Sequence, residues 1–183
     1  MSEPTLSGIT PLLGIDVALS GTSHDVTVIS ALQPFIAAAY AGTGRLVLAV
    51  TATGREAEDL AAALTSLLPA DSVAELPSWE TLPHERLSPS SDVVGRRLAV
   101  LRRLAHPDPN DPAAGPVTIV VAPVRTLLQP IVRGLGDLTP VRLAIGDEVP
   151  RDEVLRDLIH AGYTRVELVD KRGQFAVRGS IVD

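Results

Sequence analysis

The sequence contains no cysteine among its 183 residues, so neither a disulfide framework nor a thiolate metal site can exist in it. Lysine is almost as scarce, since Lys171 is the only one. Aromatic residues make up 3% of the chain, too few for a platform that stacks unpaired nucleic-acid bases. No apolar run reaches the roughly 18 residues of a membrane span, and the N-terminal residues lack the basic flank of a signal peptide. We therefore expect a cytoplasmic protein that has no membrane partner.

The charge of the chain is unevenly distributed. The formal net charge is −6, and residues 1–150 carry 10 basic and 16 acidic side chains, whereas residues 151–183 carry six of each. An acidic body argues against non-specific nucleic-acid binding as the main role, because the phosphate backbone attracts positive charge. A local contact with DNA is not excluded by it.

Apolar strands alternate with helical patterns over residues 1–138. Strands are predicted at residues 25–30, 45–50, 73–76 and 117–123, and helices at residues 34–41, 54–68, 92–105 and 124–132. Near-continuous apolar strands that alternate with helices are typical of a parallel sheet. We predict an α/β domain, residues 1–138, whose parallel sheet is covered by helices on both faces and has the layout of a nucleoside triphosphatase.

The pattern changes after residue 138. A strand is predicted at residues 140–145 and a helix at residues 151–161, followed by a β-hairpin. Residues 139–183 are therefore predicted to begin a second, smaller α+β domain. The chain stops within the last predicted strand, so we expect it to be part of a longer polypeptide.

The residues that an ATPase needs are missing. A phosphate loop has the pattern G-x-x-x-x-G-K-[ST], but the segment in that position, residues 30–35, has no glycine and contains Pro34. Lys171 lies far away in the hairpin, and strand 117–123 ends in Ala122 and Pro123 where magnesium-binding acidic residues would stand.

The sequence also lacks a histidine pattern that would bind a metal. None of its four histidines has metal-ligand spacing with another: His24, His84, His106 and His160. We expect no catalytic residues, no cofactor and no metal.

The C-terminal hairpin is predicted to have arms at residues 164–169 and 174–182, joined by a polar turn that ends in Gly173. The predicted pairs are Val169 with Gln174, Leu168 with Phe175, Val166 with Val177, and Arg165 with Arg178. Alternation then divides the side chains into a core face and a polar face. The core face comprises Val166, Leu168, Phe175, Val177 and Ile181, and the polar face comprises Arg165, Glu167, Ala176 and Arg178.

The two facing arginines have two interpretations. They can form a solvated strand face with Glu167 as the local counter-ion, or they can form a patch that binds carboxylates of a partner protein. The arginines of helix 92–105 also have two interpretations. Arg97 falls on the apolar side and Arg96, Arg102 and Arg103 point outward to solvent, but the four could instead contact a DNA backbone.

Three motifs carry a resemblance to a known family. They are L-P-S-W-E-T-L-P at residues 76–83 with S-P-S-S-D at residues 88–92, V-V-A-P-V-R-T-L at residues 120–127, and A-G-Y at residues 161–163 running on to G-Q-F-A-V-R-G-S-I-V-D at residues 173–183. With these motifs the chain resembles the N-terminal, UvrB-like module of the bacterial transcription-repair coupling factors. The last motif is also found in UvrB.

The resemblance implies a fold and a partner. The first domain would be a degenerate P-loop or RecA-like domain similar to UvrB domain 1a, and the second would be similar to the start of UvrB domain 2, which binds UvrA. Arg178 falls on the arginine of the F-x-x-R-G motif, a UvrA contact in the family; Phe175 begins that motif, and Arg165 matches an arginine of UvrB. Trp79 is expected to pack within its loop, which is too short for the DNA-wedging hairpin of UvrB.

The function implied is that of a non-catalytic module. It would recruit the nucleotide excision repair protein UvrA to DNA lesions at stalled RNA polymerase. RNA polymerase and DNA would be bound by other parts of a full-length, ATP-dependent DNA translocase. The alternative is a UvrB-like module in which Arg96, Arg97, Arg102 and Arg103 contact the DNA duplex.

Overall fold

The computed structural model describes residues 25–69, 71–81, 88–111 and 114–183. His24 and His84 lie outside these residues. The α-helices of the described residues are α1 (Gln33–Ala41), α2 (Gly54–Leu67), α3 (Ser91–Ala105), α4 (Val124–Leu128) and α5 (Arg151–His160). The β-strands are β1 (Val47–Thr51), β2 (Val73–Glu75), β3 (Ile119–Pro123), β4 (Thr164–Arg165), β5 (Gln174–Phe175), β6 (Val177–Arg178) and β7 (Ile181–Val182).

Three strands form a parallel sheet in the order β1-β3-β2. In the register, Ile119 of β3 lies opposite Val47 on one side and opposite Val73 on the other. The most apolar predicted strand is thus the central one, and all five of its residues are buried. The prediction of a parallel sheet is confirmed.

Helices cover both faces of this sheet. On one face, α1 and α2 contribute to a cluster formed by Ala38, Ala41, Ala57, Leu64, Ile119 and Val121. On the other face, α3 contributes to a cluster formed by Ala74, Leu76, Val100, Val120 and Ala122. Successive β3 side chains point to opposite faces, so alternate residues enter alternate clusters. The two-sided α/β architecture is confirmed, and its relation to P-loop or RecA-like folds stays a prediction.

Two predicted strands are wrong. Residues 25–29 are irregular and lead into a short 3₁₀ helix, Ser30–Leu32, and residues 140–145 are irregular as well. Ile29 and Leu143 are exposed. Both segments have apolar, β-branched residues but no strand beside them in the described residues to pair with their backbone groups. A short strand is stable only when a neighbour completes its hydrogen bonds.

The predicted helix starts are confirmed. At α2, the Thr53 hydroxyl oxygen accepts a hydrogen bond from the Glu56 N–H at 3.2 Å, and the Glu56 carboxylate accepts one from the Thr53 N–H at 3.3 Å. This reciprocal capping box satisfies donors that the helix itself leaves unpaired. At α3 the Ser90 hydroxyl oxygen accepts a hydrogen bond from the Val93 N–H at 3.3 Å. Pro34 lies in the first turn of α1, where its missing N–H costs no helical hydrogen bond.

No helix in the described ranges combines the length and the apolar character that a membrane-spanning helix requires.

Removal of the α2 cap should lower stability. We expect Thr53→Ala to reduce the free energy of unfolding by about 1 kcal/mol, because the Glu56 N–H at the helix start loses its acceptor. The measurement is urea denaturation followed by circular dichroism. Thr65→Ala is the matched control, since the Thr65 hydroxyl donates only to the Ala61 carbonyl of its own helix. Equal losses in the two variants would contradict the role of the cap.

Candidate partner-binding surface

The C-terminal segment is organised around residues 174–178, in which Ala176 separates β5 from β6. Strand β5 pairs with β4 in parallel, where Thr164 N–H donates to the Gly173 carbonyl at 2.8 Å and Val166 N–H donates to the Phe175 carbonyl at 2.9 Å. Strand β6 pairs with β7 in antiparallel orientation, with Arg178 opposite Ile181. The result is two small two-stranded sheets, β4-β5 and β6-β7.

A two-residue turn, Gly179 and Ser180, joins β6 to β7. Gly179 has φ +62°, a conformation that favours glycine, and glycine in the first position of such a turn is typical of type II′. The ladder continues to residues 176 and 183, whose N–H and carbonyl groups exchange hydrogen bonds of 3.0 and 3.2 Å. Arg178 is therefore held at the end of a tight hairpin.

The predicted long hairpin with its turn at residues 170–173 is wrong. Arg165 lies opposite Phe175, and Arg178 lies opposite Ile181, so the two arginines are not cross-strand neighbours. The predicted pairs Val169 with Gln174, Leu168 with Phe175, and Val166 with Val177 are wrong for the same reason. The sequence contains two glycine turn signals, at Gly173 and Gly179, and the hairpin forms at the second because two residues suffice to reverse the chain there.

The two arginines belong to different sheets. Neighbouring residues across a sheet point to the same face. Arg165 shares a face with Phe175 in the β4-β5 sheet, and Arg178 shares a face with Ile181 in the β6-β7 sheet. The cross-strand pairing that was predicted to put both arginines on one face is therefore wrong.

Burial in this segment is greatest where β5 meets β6. Phe175, at the end of β5, and Ala176, between the two strands, are 2% and 1% exposed. Leu168 and Ile181, which were predicted to be core residues, are 70% and 62% exposed because one lies in a loop and the other in an edge strand. The predicted core residue Phe175 is confirmed, and Ala176 is a core residue that alternation alone placed on the polar face.

Arg178 is exposed and anchored at one nitrogen. Its Nη2 donates to the backbone carbonyl of Glu167 at 3.2 Å. Among the described residues no carboxylate lies within ion-pair distance of Arg178 or Arg165, so the predicted counter-ion role of Glu167 is wrong. A guanidinium carries five N–H donors, and those of Arg178 that face solvent can bind a carboxylate from outside.

The arginines of α3 have internal partners. Arg96 forms an ion pair with Glu75 at 2.7 Å, Arg102 donates to the Leu138 carbonyl at 3.0 Å, and Arg103 donates to the carbonyls of Gly115, at 2.8 Å, and of Asp71. The prediction that these three arginines form a solvated face is therefore wrong. Arg97 is 1% exposed, which confirms its predicted place on the apolar side of the helix. The sequence could not reveal these contacts, because their partners are mostly backbone carbonyls distant in the chain.

Arg97 is the largest of the most deeply buried side chains in the described part of the chain. Its guanidinium lies 4.2 Å from the centroid of the Trp79 ring, and Nη1 donates to the Pro77 carbonyl at 2.5 Å. Gln129 holds the Trp79 backbone, accepting from its N–H at 2.8 Å and donating to its carbonyl at 3.2 Å. Burial lowers the pKa of Arg97, although a guanidinium stays protonated at neutral pH. Trp79 is half-buried, and its ring packs against Arg97 of α3; its packing within its own loop stays a prediction.

The segment examined for a phosphate loop has a different structure. Residues 30–32 form a 3₁₀ helix that leads directly into α1, and no strand precedes them in the described residues. At the end of β3, Pro123 lies beside Thr51 in the sheet. In the ranges the structure describes, no group of three or more potential ligand side chains could hold a metal ion.

Sequence reasoning missed the contacts between the two parts of the chain, which include an ion pair of Arg142 with Asp111 and a contact at the start of α3. Arg172 Nη1 forms an ion pair with Asp92 Oδ1 at 3.0 Å, and Gly173 packs directly against Ser91. Both segments belong to motifs that the sequence singled out, S-P-S-S-D and the glycine-containing stretch before Phe175. Their spatial proximity has no signal in a single sequence.

The sequence of the chain is similar to that of known proteins. A family model described as UvrB interaction domain matches residues 141–183. The chain is 50% identical over 186 residues to the transcription-repair-coupling factors of Mycobacterium bovis and Mycobacterium tuberculosis, which covers 100% of this chain. The chain belongs to the transcription-repair-coupling factor family. The resemblance found in the motifs is thereby confirmed.

More distant members of the transcription-repair-coupling factor family also align with most of the chain. The factor of Bacillus subtilis is 29% identical over 157 residues, which cover 84% of this chain. The chain spans only 14% of the length of the mycobacterial factors and 12% of that of the Bacillus factor. The activity of those whole proteins is therefore not carried over to these 183 residues by the match.

The Arg97 contact should be important for stability. We expect Arg97→Ala to lower the free energy of unfolding by roughly 3 kcal/mol, because it leaves a cavity and removes the stacking on Trp79. Arg97→Met, which keeps much of the volume and buries no charge, should lose less. Urea denaturation followed by fluorescence is suitable because Trp79 is the sole tryptophan. Arg125→Ala, at an exposed position of α4, is the control. A loss at Arg97 no greater than that at Arg125 would contradict the assignment.

Proposed function

We propose that this chain is a non-catalytic recruitment module that binds UvrA through the exposed surface around Arg178. The observation that supports it best is the state of Arg178: it is exposed, anchored at one nitrogen, and without a carboxylate partner among the described residues. It also lies in the segment that matches the UvrB interaction domain. A buried or internally paired arginine would not have N–H donors available for a carboxylate of UvrA.

The local geometry makes Arg178 suitable for recognition. The turn of Gly179 and Ser180 fixes the backbone, and the hydrogen bond to the Glu167 carbonyl restricts the side chain. A side chain that is already restricted loses less conformational entropy when a partner binds. Charge-assisted hydrogen bonds from an arginine to carboxylates then supply both affinity and orientation.

Arg165 and Phe175 are assigned different roles in the proposal. Arg165 is exposed, but it lies in the β4-β5 sheet and not beside Arg178 in the β6-β7 sheet, so it would contact UvrA at the edge of the interface. Phe175 is buried and would act indirectly by supporting the strand that carries Arg178. Arg178 is therefore the principal contact.

In the longer protein, the module would bring UvrA to DNA lesions at stalled RNA polymerase. The names of the relatives, which describe coupling of transcription to repair, support this role. RNA polymerase, DNA and the ATP that drives translocation would be bound elsewhere, because the chain covers 14% of its mycobacterial relatives.

The alternative of a duplex-binding module is less well supported. It requires Arg96, Arg97, Arg102 and Arg103 to be free for phosphate contacts, yet one is buried and the other three are bound to groups of the same chain. The net charge of −6 adds a repulsive term for any anionic polymer.

Substitution of Arg178 tests the proposal. We expect Arg178→Ala to weaken UvrA binding by at least about 2 kcal/mol, or roughly 30-fold, in a calorimetric titration. Arg165→Ala should have a smaller effect because Arg165 lies in a different sheet from Arg178 and would contact UvrA only at the edge of the interface. Arg156→Ala is the control, since Arg156 is an exposed arginine on α5 of the same segment. Unchanged affinity of a folded Arg178→Ala variant would refute the assignment.

A nucleotide titration tests the non-catalytic part. We expect no binding of Mg-ATP at millimolar concentrations, because residues 30–35 supply neither a glycine-rich loop nor a lysine for the phosphates. A nucleotide-binding P-loop protein measured in parallel verifies the assay. Saturable binding with turnover by this chain would show that the proposal of a catalytically inactive domain is incorrect.

A further inference from the structure

The N-terminus of α3 forms a small docking site for the turn at residues 170–173. We call Ser91 and Asp92 the α3 ledge. Asp92 pairs with Arg172 at 3.0 Å, and a Cβ atom at Gly173 would lie 2.7 Å from Ser91 Oγ and 2.9 Å from Ser91 Cβ. Both distances are too short for a real side chain. The turn therefore rests on the ledge at a point where only glycine fits.

The ledge is itself held by the first domain. The Ser90 hydroxyl caps α3 by accepting from the Val93 N–H, and it donates to the Glu80 carboxylate. That hydrogen bond holds the pKa of Glu80 below its ordinary value, so the carboxylate remains an acceptor at neutral pH. The loop that carries Trp79 and Glu80 is thereby joined to the start of α3.

On the other side, the docked turn leads to Arg178. Residues 166–173 connect β4 to β5, and the Gly173 carbonyl, beside the ledge, accepts the hydrogen bond from Thr164 N–H. Asp170 N–H donates to Gln174 Oε1 at 3.1 Å, which closes the turn. Glu167, at the start of the same loop, provides the carbonyl that Arg178 binds. The loop is thus attached to the ledge at one end and to Arg178 at the other.

We infer that the α3 ledge positions Arg178 for its partner by holding the 166–173 loop whose Glu167 carbonyl orients the guanidinium. Ser91, Asp92 and Arg172 would then be positioning residues, which influence partner binding without a contact of their own. The inference rests on the proposed binding of UvrA. The inference also gives a physical role to the S-P-S-S-D motif, which is not part of the proposed contact surface around Arg178.

A role in stability alone would not account for the ion pair. The Arg172 and Asp92 side chains are 73% and 51% exposed, and exposed pairs contribute little to folding. The orientation of Arg178 should respond to the loss of this ion pair more strongly than the folding stability does. A guanidinium that rotates away from the productive geometry loses its bidentate hydrogen bonds. The expected signature is therefore a change in affinity that exceeds the change in stability.

The first test weakens the ion pair. We expect Asp92→Asn and Arg172→Gln each to weaken UvrA binding roughly two- to fivefold. The combined variant should be no weaker than either single variant, because both remove the same contact. Asp92→Glu, which keeps the negative charge near the helix N-terminus, should retain most of the affinity. Equal losses for Asp92→Glu and Asp92→Asn, or unchanged affinity in all of these variants, would overturn the inference.

The second test uses the close approach at Gly173. Gly173→Ala should weaken binding more than the loss of the ion pair, because the added Cβ displaces the turn from Ser91. Gly162→Ala is the matched control: its φ of +87° resembles the +82° of Gly173, but nothing lies within 4 Å of the added atom. Ser91→Gly in the Gly173→Ala background should restore part of the affinity. An equal loss in the Gly162 variant would contradict the ledge, and if Gly173→Ala does not fold, the ion-pair variants decide the question.

The third test asks whether the effect passes through Arg178. In an Arg178→Ala background, Asp92→Asn should cause no further loss of affinity, whereas independent effects would add. Additive losses would overturn the proposed route. The outcomes also separate the two proposals. If Arg178→Ala has no effect, the proposed function fails, and if Arg178→Ala weakens binding while the ledge variants do not, only the positioning role fails.

Discussion

Strand β3 imposes the constraint on which the arrangement of the first domain depends. All five of its residues are buried, and a parallel strand buried on both faces requires a helical layer on each side of the sheet. Helices α1 and α2 provide one layer and α3 provides the other, through Val100 against Val120 and Ala122. Because α3 must lie over β2 and β3, the direction of its N-terminus, and hence the place of the ledge, is set by the packing of the sheet.

Helix α3 contacts several neighbouring segments through its arginine side chains. Its four arginines bind a carboxylate, distant backbone carbonyls and an aromatic ring, each with a planar group that can donate in several directions. Lysine, a point charge on a flexible stem, would not combine stacking on Trp79 with a directed bond to the Pro77 carbonyl. The same contacts occupy guanidinium donors that a phosphate backbone would otherwise bind, which argues against this helix as a nucleic-acid surface.

The sequence was sufficient where structure is determined locally. Helices α2 and α3 begin within one residue of the predicted positions, where Thr53 and Ser90 cap them, and the apolar strand 117–123 lies at the centre of the sheet. It was insufficient where pairing depends on distant neighbours. Strands β4–β7 have only two residues each, so their partners are decided by the competition between Gly173 and Gly179 as turns and by burial of Phe175. Residue type alone would leave Arg97 exposed, since charged side chains are rarely buried, but helical periodicity placed it on the apolar side of α3; its partners Trp79 and Pro77 had no signal in the sequence.

The two parts of the chain differ in how firmly they are held, and this difference bears on recognition. The first domain has two apolar clusters, whereas the segment that carries Arg178 relies on two-residue ladders and a few buried side chains such as Phe175. Segments with few buried contacts open locally at low free-energy cost. A recognition residue on such a segment would spend part of its time in unproductive orientations and lose affinity in proportion. Contact with a rigid helix terminus reduces that loss, and a glycine at the contact lets the backbones approach closely enough for the restraint to be effective.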